Sequence, residues 1–113
     1  MDQERSPEDV IVSQFSTHYN GDELYEFIDE DLTPRARASG DRLFRVLGPR
    51  ADQAASLLRA MADDRFHPLF DRIESRSQVG WNVEPELREK FRTIAVTAAD
   101  RIDERLAEQL PAP

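Results

Sequence analysis

Apolar positions recur at three- and four-residue steps along most of this chain, and the last quarter holds the longest such run. Leu87, Phe91, Ile94, Ala98, Ile102 and Leu106 share one helical face. Pro85 suits a first turn, where its missing N–H would be unpaired anyway. Glu84 and Glu86 lie where the positive end of the helix dipole favours anions. The spacing predicts one helix over 85–110, roughly 40 Å long at ~1.5 Å per residue. Such a stripe is buried only if earlier segments pack on it. The expected fold class is therefore all-α: a small bundle of four to six helices organised on 85–110. It would form a single domain over 1–113, with 1–5 and 111–113 frayed.

The earlier segments carry matching signals. Ser6-Pro7-Glu8-Asp9 combines a hydroxyl cap, a first-turn proline and acids at the helix start. Val10, Ile11, Phe15 and Tyr19 supply an apolar side, and Asn20-Gly21 is a stop signal, so a helix is expected over 7–19. Segment 34–47 ends in Leu43, Phe44, Val46 and Leu47; Ser39-Gly40-Asp41 would leave it as one bent helix or two short ones. Gly48-Pro49 interrupts the chain firmly. From Arg50 to Ala62, Ala51, Ala54, Ala55, Leu58, Met61 and Ala62 form a narrow stripe that lets another helix approach closely. Pro68 opens a short helix with Leu69, Phe70 and Ile73, and residues 75–84 read as a loop anchored by Trp81. The long helix is expected to pack against 7–19, 22–32 and 50–62.

The most pointed stretch is Asp22 to Leu32. Leu24, Phe27, Ile28 and Leu32 fall on one face of a helix that Thr33-Pro34 would end; Glu23, Glu26 and Glu30 fall on another, with Tyr25 at the border. In these eleven residues the chain resembles the acidic docking helices that end some modular polyketide synthase subunits, where a pattern near Asp-Glu-Leu-Phe-x-Phe-Ile-Asp recurs. No carrier-domain ending surrounds it. The resemblance implies a helix that docks on a protein partner.

Charge sharpens this picture. The net charge of −8 divides into −9 over residues 1–32, +4 over 33–60 and −3 over 61–113. Opposite blocks in one short chain usually meet, within a subunit or between two. Fourteen of the fifteen basic residues are arginine, which reads as the mark of a GC-rich genome rather than of an activity. There are no cysteines, so disulfides and thiolate metal sites are excluded. No apolar run is long enough to span a bilayer, and the first residues do not resemble a signal peptide, so a cytoplasmic location and no membrane partner are expected.

Catalytic chemistry has little to draw on. His18 and His67 are the only imidazoles, and neither joins a nucleophile or zinc motif. Asp63 or Asp64 with His67 makes two ligands at best, and Asp100, Glu104 and Glu108 read as a solvated carboxylate row. No catalytic residue, metal or cofactor is expected. The expected function is a non-enzymatic protein–protein interaction or regulatory module. Its partner-binding residues would be Glu23, Leu24, Tyr25, Glu26, Phe27, Ile28 and Glu30, with Arg35, Arg37, Arg42 and Arg45 of the adjoining 35–50 segment.

Two alternatives use the same residues differently. The acids could imitate nucleic acid and block a DNA- or RNA-binding protein, as in a phage or anti-defence inhibitor. The arginines could instead bind nucleic acid through a helix–break–helix over 41–62, which an overall charge of −8 opposes. A homodimer is also expected. Val96 stands opposite the main stripe of 85–110, the stripe drifts, and Arg105 falls where an apolar residue would continue it.

Overall fold

Ser6 starts the first helix by accepting the Asp9 N–H on its side-chain oxygen at 3.1 Å. The computed structural model describes residues 5–19, 28–64, 66–77 and 85–109, the side chains of Asp29 and Ser77 excepted. The elements are α1 (Pro7–His18), α2 (Asp29–Leu47), a 3-10 turn (Gly48–Arg50), α3 (Ala51–Asp63), α4 (Pro68–Ser77) and α5 (Pro85–Glu108). The fold is all-α, a small bundle organised on the long C-terminal helix, which packs chiefly against α2 and α3. Among the described residues no helix is long and apolar enough to cross a membrane.

The stripe on α5 is buried as its periodicity requires. Leu87, Phe91, Ile94, Ala98 and Ile102 are sealed from solvent along with Ala95 and Ala99, and Leu106 packs at the margin. The stripe does drift, and its neighbours change along the helix. Towards the start Phe91 meets Phe15 of α1 and Phe70 of α4, with ring centroids 5.5 and 4.8 Å away. Towards the end Arg105 lays its guanidinium 5.4 Å from the Phe44 ring centre of α2. One chain supplies both sets of neighbours, so the drift needs no second copy to explain it.

Three expectations about the helices are corrected. The stretch 22–32 is not one helix ended by Thr33-Pro34. The chain is extended at Ile28 (φ −92, ψ 170), a new helix starts at Asp29, and it runs through Pro34 to Leu47. Pro34 is the sixth residue of α2, where it removes one bond to the Glu30 carbonyl in a turn exposed to water. Against that loss stand Leu32, Ala36, Ser39, Leu43 and Leu47, all buried along one side of the continuous helix. Tertiary burial outweighs the local break. Residues 22–27 and Trp81 lie outside the described residues. Secondly, α1 packs mainly on α4 rather than on α5, which it reaches through Phe15. Thirdly, Ser75 to Ser77, expected in a loop, belong to α4, and residues 78–84 lie outside the described residues.

Segment 34–47 is a single helix, and Gly40 is the reason it can lie so close to α5. A Cβ at Gly40 would stand 2.7 Å from the Ala98 carbonyl oxygen and 2.8 Å from Arg101 Cβ. Gly48 serves the turn instead. Its φ of 58 leads the chain out of α2 while its N–H bonds the Phe44 carbonyl. Alanines 51, 54, 55 and 62 are all buried on α3, matching the narrow stripe of the sequence.

Gly40→Ala should separate helix propensity from packing. Alanine is the better helix former by about 1 kcal/mol, yet the added methyl collides with backbone of α5. We expect a net loss of about 1–3 kcal/mol in urea unfolding, the range for overpacked cores. A neutral or stabilising outcome would mean that α2 and α5 are not this close.

Candidate functional site on α2

The three sides of α2 do three different things. One side carries Arg37, Gly40, Asp41 and Phe44 against α5. Arg37 grips Glu104 with both terminal nitrogens, at 3.3 and 3.4 Å. Arg101 bridges Asp41 at 2.7 Å and Glu104 at 3.0 Å. On the α3 side of the same rod, Arg59 reaches Asp100 at 2.9 Å and Asp103 at 2.6 Å. Hydrogen bonds from Arg37 first, then Arg101, hold the Glu104 carboxyl below its ordinary pKa. The pairs to Glu104 from Arg37 and to Asp100 and Asp103 from Arg59 are solvent-exposed and screened, so each adds little, whereas the Arg101–Asp41 contact is part-buried. They fix the register of α2 and α3 on α5.

One expectation therefore needs correcting. Asp100, Glu104 and Glu108 are not a merely solvated row, since each faces an arginine; Glu108 meets Arg105 at 3.7 Å. Arg37 belongs to the bundle's own ion pairs, so it is set apart from the other arginines of the expected contact surface. Among the described residues its acid lies on α5 rather than in the N-terminal block. Asp9 of that block pairs instead with Arg72 of α4 at 2.5 Å.

The second side of α2 faces the end of α1. Tyr19, the residue after α1, is buried at 1% exposure, as is Ser39. The Tyr19 hydroxyl lies 2.6 Å from Ser39 Oγ and 3.3 Å from the Arg35 carbonyl oxygen. Arg42 Nη2 donates to Ser39 Oγ at 2.9 Å. One arrangement satisfies every partner. The guanidinium donates to the serine oxygen, the serine hydroxyl to the phenol oxygen, and the phenol to the Arg35 carbonyl. Burial pushes the Tyr19 phenol above its ordinary pKa, against the smaller opposing effects of the Ser39 hydrogen bond and the Arg42 and Arg35 charges.

A recess of about 90 Å³ opens beside this chain of hydroxyls, lined by His18, Tyr19, Arg35, Ala38 and Arg42. Arg35 and Arg42 are two turns apart on one face, with Ala38 as the small residue between them. Burial, then the charge of Arg42, lowers the His18 pKa and keeps the imidazole neutral at pH 7. Arg42 Nε is buried and has no hydrogen-bond partner among the described residues. Towards solvent the strip continues with Arg45 and Val46, the latter 51% exposed.

The structure thus brings together Arg35, Arg42 and Arg45 of the expected contact residues. Ile28 and Glu30 are exposed at the start of α2. Glu23, Leu24, Tyr25, Glu26 and Phe27 lie outside the described residues. Nothing in the spacing of the chain singles out His18, Tyr19 or Ser39 for the site. Ser39 stands three residues before Arg42 and four after Arg35, a relation legible once 34–47 is one helix. Its meeting with Tyr19 is not local.

His67 works in the backbone of its own turn. Its Nδ1 accepts the Leu69 N–H at 3.2 Å at the start of α4. Asp64 accepts the Phe66 N–H at 2.9 Å in the same turn. Among the described residues no three histidine or acidic side chains gather around a point that would suit a metal. Arg59, on the second helix of the helix–break–helix outline, is held by Asp100 and Asp103. No family model matches the chain, and no curated protein or solved structure shows a significant similarity to it.

Both ends of the pH scale should report these contacts. The pKa of Glu104 is depressed, so its contribution is present above the ordinary carboxylate range and fades as pH falls through the lower folded value. Glu104→Gln should flatten that acid limb in urea unfolding followed by circular dichroism. The pKa of Tyr19 is raised, so its contribution is full below about pH 10 and is lost as pH climbs through the higher folded value. Tyr19→Phe should remove that alkaline loss while costing about 1–3 kcal/mol at neutral pH, because the Arg35 carbonyl loses a partner.

Proposed function

We propose that this chain is a non-enzymatic protein-interaction or regulatory module. Its contact surface is the α2 strip of Arg35, Arg42 and Arg45 with exposed Val46, together with the acidic and apolar stretch that leads into α2. The observation that carries this reading is the state of Arg42. Arg37, Arg59, Arg72, Arg101 and Arg105 each meet a carboxylate. Arg42 is instead held by a hydroxyl that is itself held by Tyr19, so among the described residues it is fixed in place without being neutralised. A guanidinium so placed beside a small recess suits a partner's carboxylate, and arginines next to apolar contact residues are frequent centres of binding energy.

The partner on this reading presents acids to Arg42 and Arg45, and basic groups to Glu23, Glu26 and Glu30. A second copy of the chain is one candidate, and light scattering at micromolar concentration tests it: a monomeric mass removes that candidate.

Co-purification from the native host, followed by titration with the recovered partner, tests the whole reading. Arg42→Ala/Arg45→Ala should weaken binding about tenfold or more, and Phe27→Ala should weaken it more than added salt does. If Glu26→Gln/Glu30→Gln dominates and binding falls steeply with salt, the nucleic-acid-mimic alternative replaces this one.

A further inference from the structure

A second concave surface lies between the N-terminal turn of α1 and α4, and it shares no lining residue with the recess beside Tyr19. This cleft measures about 490 Å³ and is lined by Arg5, Asp9, Val12, Arg72, Ser75 and Arg76. That volume falls within the range of small-molecule sites. In a chain of net charge −8, the described lining of this cleft carries three arginines against one acid.

Two of the three arginines are held from outside the cleft or across it. Arg50, at the end of the 3-10 turn, donates through Nη2 to the Arg5 carbonyl oxygen, which pins the backbone from which the Arg5 side chain springs. Asp9 fixes the Arg72 guanidinium. Arg76 stands one helical turn beyond Arg72 on the same face of α4. Ser75 donates its hydroxyl to the Asp71 carbonyl at 3.0 Å, leaving the oxygen able to accept. Buried Val12 contributes an apolar lining. No carboxylate pairs with the Arg5 or Arg76 side chain among the described residues.

We propose that this cleft binds a small molecule through a phosphate group, with Arg5, Arg72 and Arg76 as its ligands. Guanidinium groups arriving from two elements surround a tetrahedral dianion on several sides, which a planar monoanionic carboxylate matches less well. The cleft is far larger than one phosphate, so the phosphate is one end of a larger compound. Among the described lining residues three arginines stand against one aspartate, a net charge of +2, which attracts a dianion.

Amide chemical shifts of the full chain, followed during titration, test this. The probes are inorganic phosphate, adenosine monophosphate and acetate at matched ionic strength. Phosphate is expected to move the amides of Arg5, Asp9, Arg72, Ser75 and Arg76 saturably, with adenosine monophosphate at least as tight and acetate without a saturable effect. Arg76→Ala should weaken phosphate fivefold or more, and Arg5→Ala/Arg76→Ala should abolish saturation while the circular dichroism spectrum stays helical. Arg92→Ala, an exposed arginine on α5, should change nothing. Equal responses to phosphate and acetate, an unaltered affinity in Arg76→Ala, or an equal loss in Arg92→Ala would each overturn the proposal. Binding of adenosine monophosphate weaker than that of phosphate would refute the larger ligand.

Discussion

The architecture depends on how closely α2 can lie against α5. An apolar stripe on a long helix is of use only when a second helix covers it, and coverage improves as the two axes approach. Gly40 against the Ala98 carbonyl, with Ala36 on α2 and Ala95 and Ala99 on α5, removes the side chains that would hold the helices apart. Close backbone approach multiplies weak dispersion contacts, each small but numerous in a dense interior. It also places Asp41 within reach of Arg101, and Arg37 within reach of Glu104, so the polar register follows from the apolar one.

The aromatic cluster solves a different problem. α1 and α4 are short, with 12 and 10 residues, and helices of that length are marginal on their own. Phe15, Phe70 and Phe91 join α1, α4 and α5 at one point, and Tyr19 extends the cluster through Phe15 at 5.1 Å. Because the Tyr19 hydroxyl must be satisfied once its ring is buried, the cluster also fixes Ser39 and through it Arg42. The proposed contact surface is thus tied to the core by a tyrosine whose ring belongs to one and whose oxygen belongs to the other.

The arginines divide by what holds them. Arg37, Arg59, Arg101 and Arg105 pair with carboxylates, and all but the Arg101–Glu104 and Arg105–Glu108 contacts tie one helix to another. Arg42 is oriented by hydroxyls, and Arg5 through its own carbonyl, so those guanidiniums keep their charge available. The acidic total of the sequence conceals this division, since composition counts charges without saying which are already paired.

Periodicity alone determined that the chain is helical and that its C-terminal helix, observed over Pro85–Glu108, is the scaffold. The burial of Leu87, Phe91, Ile94, Ala98 and Ile102 was legible because a three- and four-residue spacing has one geometric meaning. The start of α1 at Ser6 and the turn at Gly48-Pro49 were legible for the same reason, being local backbone chemistry. Tertiary structure alone decided that Pro34 and Gly40 lie inside one helix. A proline's missing bond and a glycine's freedom are local costs, and only the buried side of α2 shows that they are outweighed. It also decided which arginines are paired: Arg37 and Arg42 look alike along the chain, and a contact with Glu104 or Ser39 depends on distances that sequence spacing does not contain.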